Sequence, residues 1–273
     1  MKFRAGARLL TVRSYTRHFI VCAAALCWGL QALPVFAGIA DSPDYYTVGA
    51  EAITVTETGA DKEVSLEKPG QLPGPSKQLA IALGIINAGA AAWNVISDGA
   101  PSFEAASSYA SALPPGLAQN WSTVAKWTGP KEYLYSYKVT NLMGIEVVNV
   151  QYKISFYYGG KEIGKTGQAG SYIANFTVRP VKVNIKWGWH FNMQVGMSDP
   201  MNIGTVREPV AFIQADLKWR LSTLLSKDGE VGIWSYVVDG KGNFRDLTAE
   251  VKALTKQIPS PLTPGQVPLV SWN

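Results

Sequence analysis

Apolar and polar residues alternate with a period of two over most of the chain that follows Trp127. This period places successive side chains on opposite faces of a strand, so each alternating segment predicts a β-strand with one buried face. The segments lie at 133–139, 148–158, 172–178, 181–197, 211–225 and 231–238. Together they predict a mainly β fold, an antiparallel β-sandwich over roughly residues 127–246. The last segment is apolar on both faces, which predicts a central strand.

The longest of these segments spans residues 181–197, in which all nine odd positions are apolar. Residues 211–225 form the later segment of similar length, so the two are predicted to pair antiparallel. The alternation places Trp187 and Trp189 on the inner face. A single strand of this length would extend about 55 Å at ~3.3 Å per residue, so a bend or bulge near Gly188 is expected.

An uncharged stretch of 20 residues, 78–97, precedes the strands. Its apolar residues recur at helical spacing, Ser76 is a suitable cap, and Gly99 with Pro101 is a suitable end, which predicts an apolar N-terminal helix over 76–98. Three interpretations remain open: a helix buried in the core, a helix that inserts into a membrane, and a transmembrane span. The candidate membrane-insertion residues are Leu79, Leu83, Ile86 and Trp93.

The remaining segments complete the predicted organisation of the chain. Leu247, Val251, Leu254 and Ile258 predict a short amphipathic C-terminal helix. The predicted divisions are a signal peptide at 1–37, an extended arm and Pro/Gly linker at 38–75, the apolar helix at 76–98, the sandwich domain with its C-terminal helix at 99–258, and a Pro-rich tail at 259–273. Within the arm, residues 52–58 predict a short strand.

The first 37 residues have the three parts of a secretory signal peptide. Arginines precede an apolar stretch at 19–30, and Val35-Phe36-Ala37 has the small-x-small pattern of a cleavage site. The apolar stretch is shorter than the ~20 residues that a transmembrane helix needs. The sequence therefore predicts cleavage after Ala37 and a secreted or periplasmic protein that begins at Gly38.

The net charge of +5 comes from the leader, which holds five of the 25 basic residues and none of the 20 acidic ones. The charge is therefore no indication of a nucleic-acid partner, and none is predicted. Both cysteines and one of the two histidines also lie in the leader, which leaves only His190 for histidine chemistry. No metal site and no cofactor are predicted, because zinc sites draw on Cys and His ligands.

Residues 159–166 match the phosphate-binding pattern G-x-x-x-x-G-K-[ST] through Gly159, Gly164, Lys165 and Thr166. That loop needs a helix immediately after it to present free N–H groups to the phosphate. Glycines and an alternating strand follow instead, so we interpret the match as a Gly-rich hairpin loop and predict no nucleotide partner.

Aromatic residues outside the alternating positions are predicted to lie on the surface. Exposed amphipathic rings suit a glycan face or a membrane interface. The candidates are Tyr45, Tyr46, Trp121, Trp127, Tyr157 and Trp272. We therefore expect a secreted, non-enzymatic protein that acts on membrane lipid or a glycan surface, with homo-oligomers on membranes as one form of that action.

An apolar helix followed by an aromatic-rich sandwich resembles the layout of the actinoporin-like pore-forming toxins over residues 76–246. The resemblance implies a helix that leaves the sandwich and inserts into a membrane. It is one of layout, without a shared motif, so it assigns no role to any residue. Two other hypotheses remain: a secreted hydrolase whose carboxylates are brought together by folding, and a structural envelope or adhesin-type module.

Overall fold

The computed structural model describes residues 38, 42–59, 62–64, 85–114, 124–163, 169–227 and 229–257. The predicted leader with its cleavage site, most of the linker, and the Pro-rich tail lie outside these residues. The described chain is mainly β, with two antiparallel sheets packed face to face as a sandwich and only short helices. The predicted fold class is therefore confirmed.

The first sheet has the strand order β1-β8-β9-β10-β6-β3, with β2 beside β8 and β7 beside β9. Its strands are β1 (Val48–Glu57), β2 (Glu63–Val64), β3 (Ile86–Asn87), β6 (Ala110–Leu113), β7 (Val124–Ala125), β8 (Trp127–Asn141), β9 (Glu146–Glu162) and β10 (Ala169–Ile185). The long hairpin strands β8, β9 and β10 form the middle of this sheet.

The second sheet has the order β15-β14-β13-β11-β4-β5, with β12 beside β13. Its strands are β4 (Ala92–Ser97), β5 (Ala100–Pro101), β11 (Trp189–Met197), β12 (Met201–Asn202), β13 (Ala211–Thr223), β14 (Glu230–Asp239) and β15 (Phe244–Asp246). The helices are a 3-10 helix at Pro43–Tyr46, α1 at Glu104–Ser107 and α2 at Thr248–Gln257. The predicted arm strand and C-terminal helix are thus confirmed as β1 and α2, although Ile258 lies outside the described residues.

The long alternating segment at 181–197 divides between the two sheets. Residues up to Ile185 pair with β9 in the first sheet, whereas β11 pairs antiparallel with β13 in the second. The bend at Gly188 is confirmed, since this glycine has a φ of +80°. Trp189 is buried as predicted, but Trp187 is 68% exposed, and its predicted inward position is wrong. Alternation specifies faces only within one sheet, and the chain changes sheets at this bend.

The predicted apolar helix is wrong over residues 85–98, where the chain forms β3 and β4. Trp93 and Val95 are buried, and the Trp93 indole N–H donates to the Val178 carbonyl (3.3 Å) in the opposite sheet. Gly89 has a φ of +143°, which a helix does not permit. An uncharged stretch has no polar face to reveal its period, and pairing with β11 decides its structure. Two of the insertion candidates are in strands (Ile86 and Trp93), and two lie outside the described residues (Leu79 and Leu83).

Aromatic rings from both sheets fill the interior between β8 and β14. Tyr137 packs against Trp219 and Trp234, with ring centroids 5.7 and 5.1 Å away. The hydroxyls of Tyr152 and Tyr236 hydrogen-bond to each other at 2.7 Å. Burial raises the pKa of both phenols, so they remain neutral hydrogen-bonding groups inside the core.

Candidate functional site

The structure revises the list of predicted surface aromatics. Tyr45 and Trp127 are buried, so their predicted exposure is wrong, and Tyr46 and Tyr157 are half-buried. Trp127 packs so closely on Gly160 that a Cβ there would lie 2.5 Å from the ring. A ring outside the alternation can therefore still find a core position where glycine makes room. The other two candidates, Trp121 and Trp272, lie outside the described residues.

Exposed apolar side chains converge instead at one end of the sandwich. Three connections meet there: the β8–β9 turn, the β10–β11 turn and the β13–β14 loop. The strand register brings them together, because Ile185 pairs with Val148, Trp189 with Thr223, and Leu221 with Glu230. The side chains are between 42% and 68% exposed, and we call them the apolar tip: Leu142, Met143, Trp187, Leu224 and Leu225.

Close packing holds the backbone beneath Trp187. The Tyr45 hydroxyl donates to the Trp187 carbonyl (3.0 Å), and the Leu224 N–H donates to the Gly188 carbonyl (3.0 Å). A Cβ at Gly188 would lie 2.7 Å from the Tyr46 ring, so this turn depends on glycine for both its space and its φ. The exposed indole therefore projects from a well-packed support.

Asn141 holds the backbone of the β8–β9 turn in place through its side-chain hydrogen bonds. Its buried side-chain amide donates to the Tyr45 carbonyl (3.0 Å), and its Oδ1 accepts from the N–H groups of Met143 (3.1 Å) and Ile145 (2.9 Å). One buried amide thus ties this turn to the 3-10 helix that supports Trp187. The supports of the tip form a single connected network.

Two exposed lysines, Lys186 and Lys227, lie on the same connections as the apolar tip. Neither lysine side chain makes a hydrogen bond or ion pair with another described residue. Apolar side chains with adjacent cations match a lipid interface, where the apolar groups enter the acyl boundary and the cations stay among the headgroups. The sequences of these three connections contain one acidic residue, Asp228, which lies outside the described residues.

Sequence reasoning missed four of the five tip residues and placed Trp187 on the wrong face. A signal was present, because Leu142-Met143 and Leu224-Leu225 are apolar pairs at the ends of alternating segments. Turns are normally built from Gly, Pro, Asn, Asp and Ser. Apolar pairs there contribute nothing to a core and are therefore a mark of a contact surface.

Two carboxyl groups also meet in the structure, at the seam between the sheets. The side chains of Glu51 of β1 and Glu230 of β14 lie close to each other, and the Tyr137 hydroxyl donates to Glu51 Oε1 (2.9 Å). Partial burial and then the adjacent Glu51 charge raise the pKa of Glu230. Glycosidase pairs are separated by about 5 Å or more to admit the reacting groups. Close contact instead leaves no room for reacting groups and joins β1 of the first sheet to β14 of the second.

The other chemical candidates receive no support from the described residues. His190 is exposed on the outer face of β11, and no group of three or more His, Cys, Asp or Glu residues among those described is placed to hold a metal. The phosphate-loop match lies where β9 and β10 pair antiparallel as a hairpin, and a strand follows it at Ala169. Lys165 and Thr166 themselves lie outside the described residues.

No family model, no curated protein and no solved structure matches the chain. Among the described helices, none is both long and apolar enough to cross a bilayer.

Proposed function

We propose that this is an exported, non-enzymatic protein that binds reversibly to lipid membranes through its apolar tip. The observation that carries the proposal is the convergence of five exposed apolar side chains on three connections at one end of the sandwich. Isolated exposed apolar residues are ordinary, but a contiguous apolar patch marks a contact surface. Trp187 adds an amphipathic ring, which favours the membrane–water interface.

The expected affinity follows from the area that the tip can bury. Full burial of a large apolar side chain contributes about 1.5–3 kcal/mol, so these partly exposed ones contribute roughly 1 kcal/mol each. Five such contributions give about 5 kcal/mol, which is similar to a single myristoyl chain and gives marginal, reversible binding. Lys186 and Lys227 would each add about 1 kcal/mol on an anionic membrane.

We expect the protein to bind the membrane surface without insertion of residues 85–97 into the bilayer. These residues are strands in the described structure, and Trp93 hydrogen-bonds across the core. Their departure would remove β4 from the second sheet. We therefore expect binding to vesicles without leakage of their contents.

Vesicle co-sedimentation with the purified protein tests the proposal. Vesicles of phosphatidylcholine with phosphatidylglycerol should bind the protein more tightly than phosphatidylcholine alone, and Leu225→Gln should weaken binding about fivefold. Val206→Gln is the matched control, because Val206 is 97% exposed and lies in the β12–β13 loop at the opposite end of β13. Equal binding by both variants would refute the tip as the contact surface. Leakage of an encapsulated dye would instead indicate that residues 85–97 insert into the bilayer.

A further inference from the structure

The outer face of the second sheet carries a trough with a volume of about 920 Å³. Its floor is formed by outward side chains of β4, β11 and β13, and its sides by the edge of β14 and by helix α2. Ligand pockets of proteins are usually about 300–1,000 Å³, so the trough has room for a ligand of several rings. It is separate from the apolar tip, and no residue belongs to both.

The strand register arranges the polar side chains of the floor as a grid. On β13, Lys218 and Arg220 are two residues apart and therefore point to the same face. Gln194 and Asn192 of β11 lie directly opposite them, and Asn94 of β4 lies opposite Gln194. Directly opposed residues in a sheet have Cβ atoms about 5 Å apart, so one small ligand can contact both rows.

The cations of this grid are uncompensated, whereas the acids around them are engaged. The Lys218 and Arg220 side chains make no hydrogen bond or ion pair with any described residue. By contrast, the Asp216 carboxylate accepts from Ser235 and Gln214, and the Glu104 carboxylate accepts from the Asn94 side chain. Glu51, which also lines the trough, likewise accepts from the Tyr137 hydroxyl. Lys218 and Arg220 are therefore the groups of the floor that can pair with a carboxylate or similar anion of a ligand.

An apolar strip runs beside the cations. Val231 and Ile233 at the edge of β14 pair with Arg220 and Lys218, and both side chains are exposed on the outer face. A ligand for this trough must therefore combine an anionic group with an apolar face.

We infer that the trough binds an anionic oligosaccharide, of the class that contains uronic acid residues. Arginine and lysine match the carboxylate of the sugar, with the guanidinium able to bind it in a bidentate manner. The side-chain amides supply both donors and acceptors, which hydroxyl groups require. The Val231–Ile233 strip matches the C–H face of a pyranose ring. The trough has no exposed aromatic ring among its described lining residues, which disfavours single-stranded nucleic acid, since its bases stack on such rings.

The inference is independent of membrane binding, so the two proposals can fail separately. Calorimetric titration with a galacturonic acid trisaccharide should show binding that weakens with salt, and the uncharged galactose trisaccharide should bind at least tenfold more weakly. Arg220→Gln should weaken binding of the acidic trisaccharide about tenfold. Its unfolding midpoint should not change, because the Arg220 side chain has no partner to lose among the described residues.

Lys241→Gln is the matched control, since Lys241 is exposed in the β14–β15 turn, away from the trough. Its binding of the acidic trisaccharide should equal that of the unchanged protein. The inference is overturned by absence of binding at millimolar trisaccharide, by equal binding of the charged and neutral sugars, or by equal weakening in both variants. Inorganic phosphate that displaces the sugar at equal concentration would show a site for simple anions and would also overturn it.

Discussion

The hydroxyl pair of Tyr152 and Tyr236 allows a quantitative test of the core. Both side chains are fully buried, and their oxygens are 2.7 Å apart. Tyr152 has no other hydroxyl partner among the described residues, whereas the Tyr236 hydroxyl also interacts with Tyr135. The two Tyr→Phe replacements are therefore expected to differ in cost, although they delete the same atom.

Tyr236→Phe leaves the Tyr152 hydroxyl buried without a partner, which costs about 1–3 kcal/mol of unfolding free energy. Tyr152→Phe leaves Tyr236 with Tyr135, so its cost should fall at the lower end of that range. The double variant removes both polar groups, and it should be more stable than the sum of the single changes predicts, by about 1 kcal/mol. Each kcal/mol corresponds to a shift in Tm of about 2–4 °C for a domain of this size.

Urea unfolding followed by tryptophan fluorescence measures these differences as a double-mutant cycle. Tyr157→Phe is the matched control, because Tyr157 is half-buried and its hydroxyl has no partner among the described residues, so a change within about 0.5 kcal/mol is expected. Costs that add within about 0.3–0.5 kcal/mol in the double variant would refute the direct hydroxyl contact.

Three further substitutions test the turn at Gly188, the strand β4 and the contact between Glu51 and Glu230. Gly188→Ala should destabilise the protein by about 1 kcal/mol or more and weaken vesicle binding, because its φ is +80° and its Cβ would meet Tyr46; unchanged Tm and binding would contradict this. Trp93→Ala should cost about 3–5 kcal/mol as a core deletion, and a loss below 1 kcal/mol in urea unfolding would count against β4. The folded pKa of Glu230 is raised, so its contribution to stability is complete below the unfolded pKa of about 4.3 and is lost as the pH rises through the folded pKa. Glu230→Gln should flatten this pH dependence of unfolding, and an unchanged profile would argue against the raised pKa of Glu230.

The candidate tip shows why site prediction was harder than strand prediction. Strand prediction uses a period that repeats over many residues, as in β8, β9 and β13. The tip instead depends on which connections share one end of the sandwich, and that follows from strand order and register. Leu142 and Leu225 are far apart in sequence, and only the sheet topology makes them neighbours.

The amino-acid sequence by itself determined the class of fold, most strand positions and the C-terminal helix, because the alternation of buried and exposed side chains is a local property of a strand. Tertiary structure decided the rest. The stretch at 85–97 became strands because β11 and β6 offered edges to pair with. Trp187 became exposed because the chain changes sheets at Gly188. In both cases contacts with residues distant in sequence decided the structure, because a residue's preference for a strand depends on the packing and pairing around it.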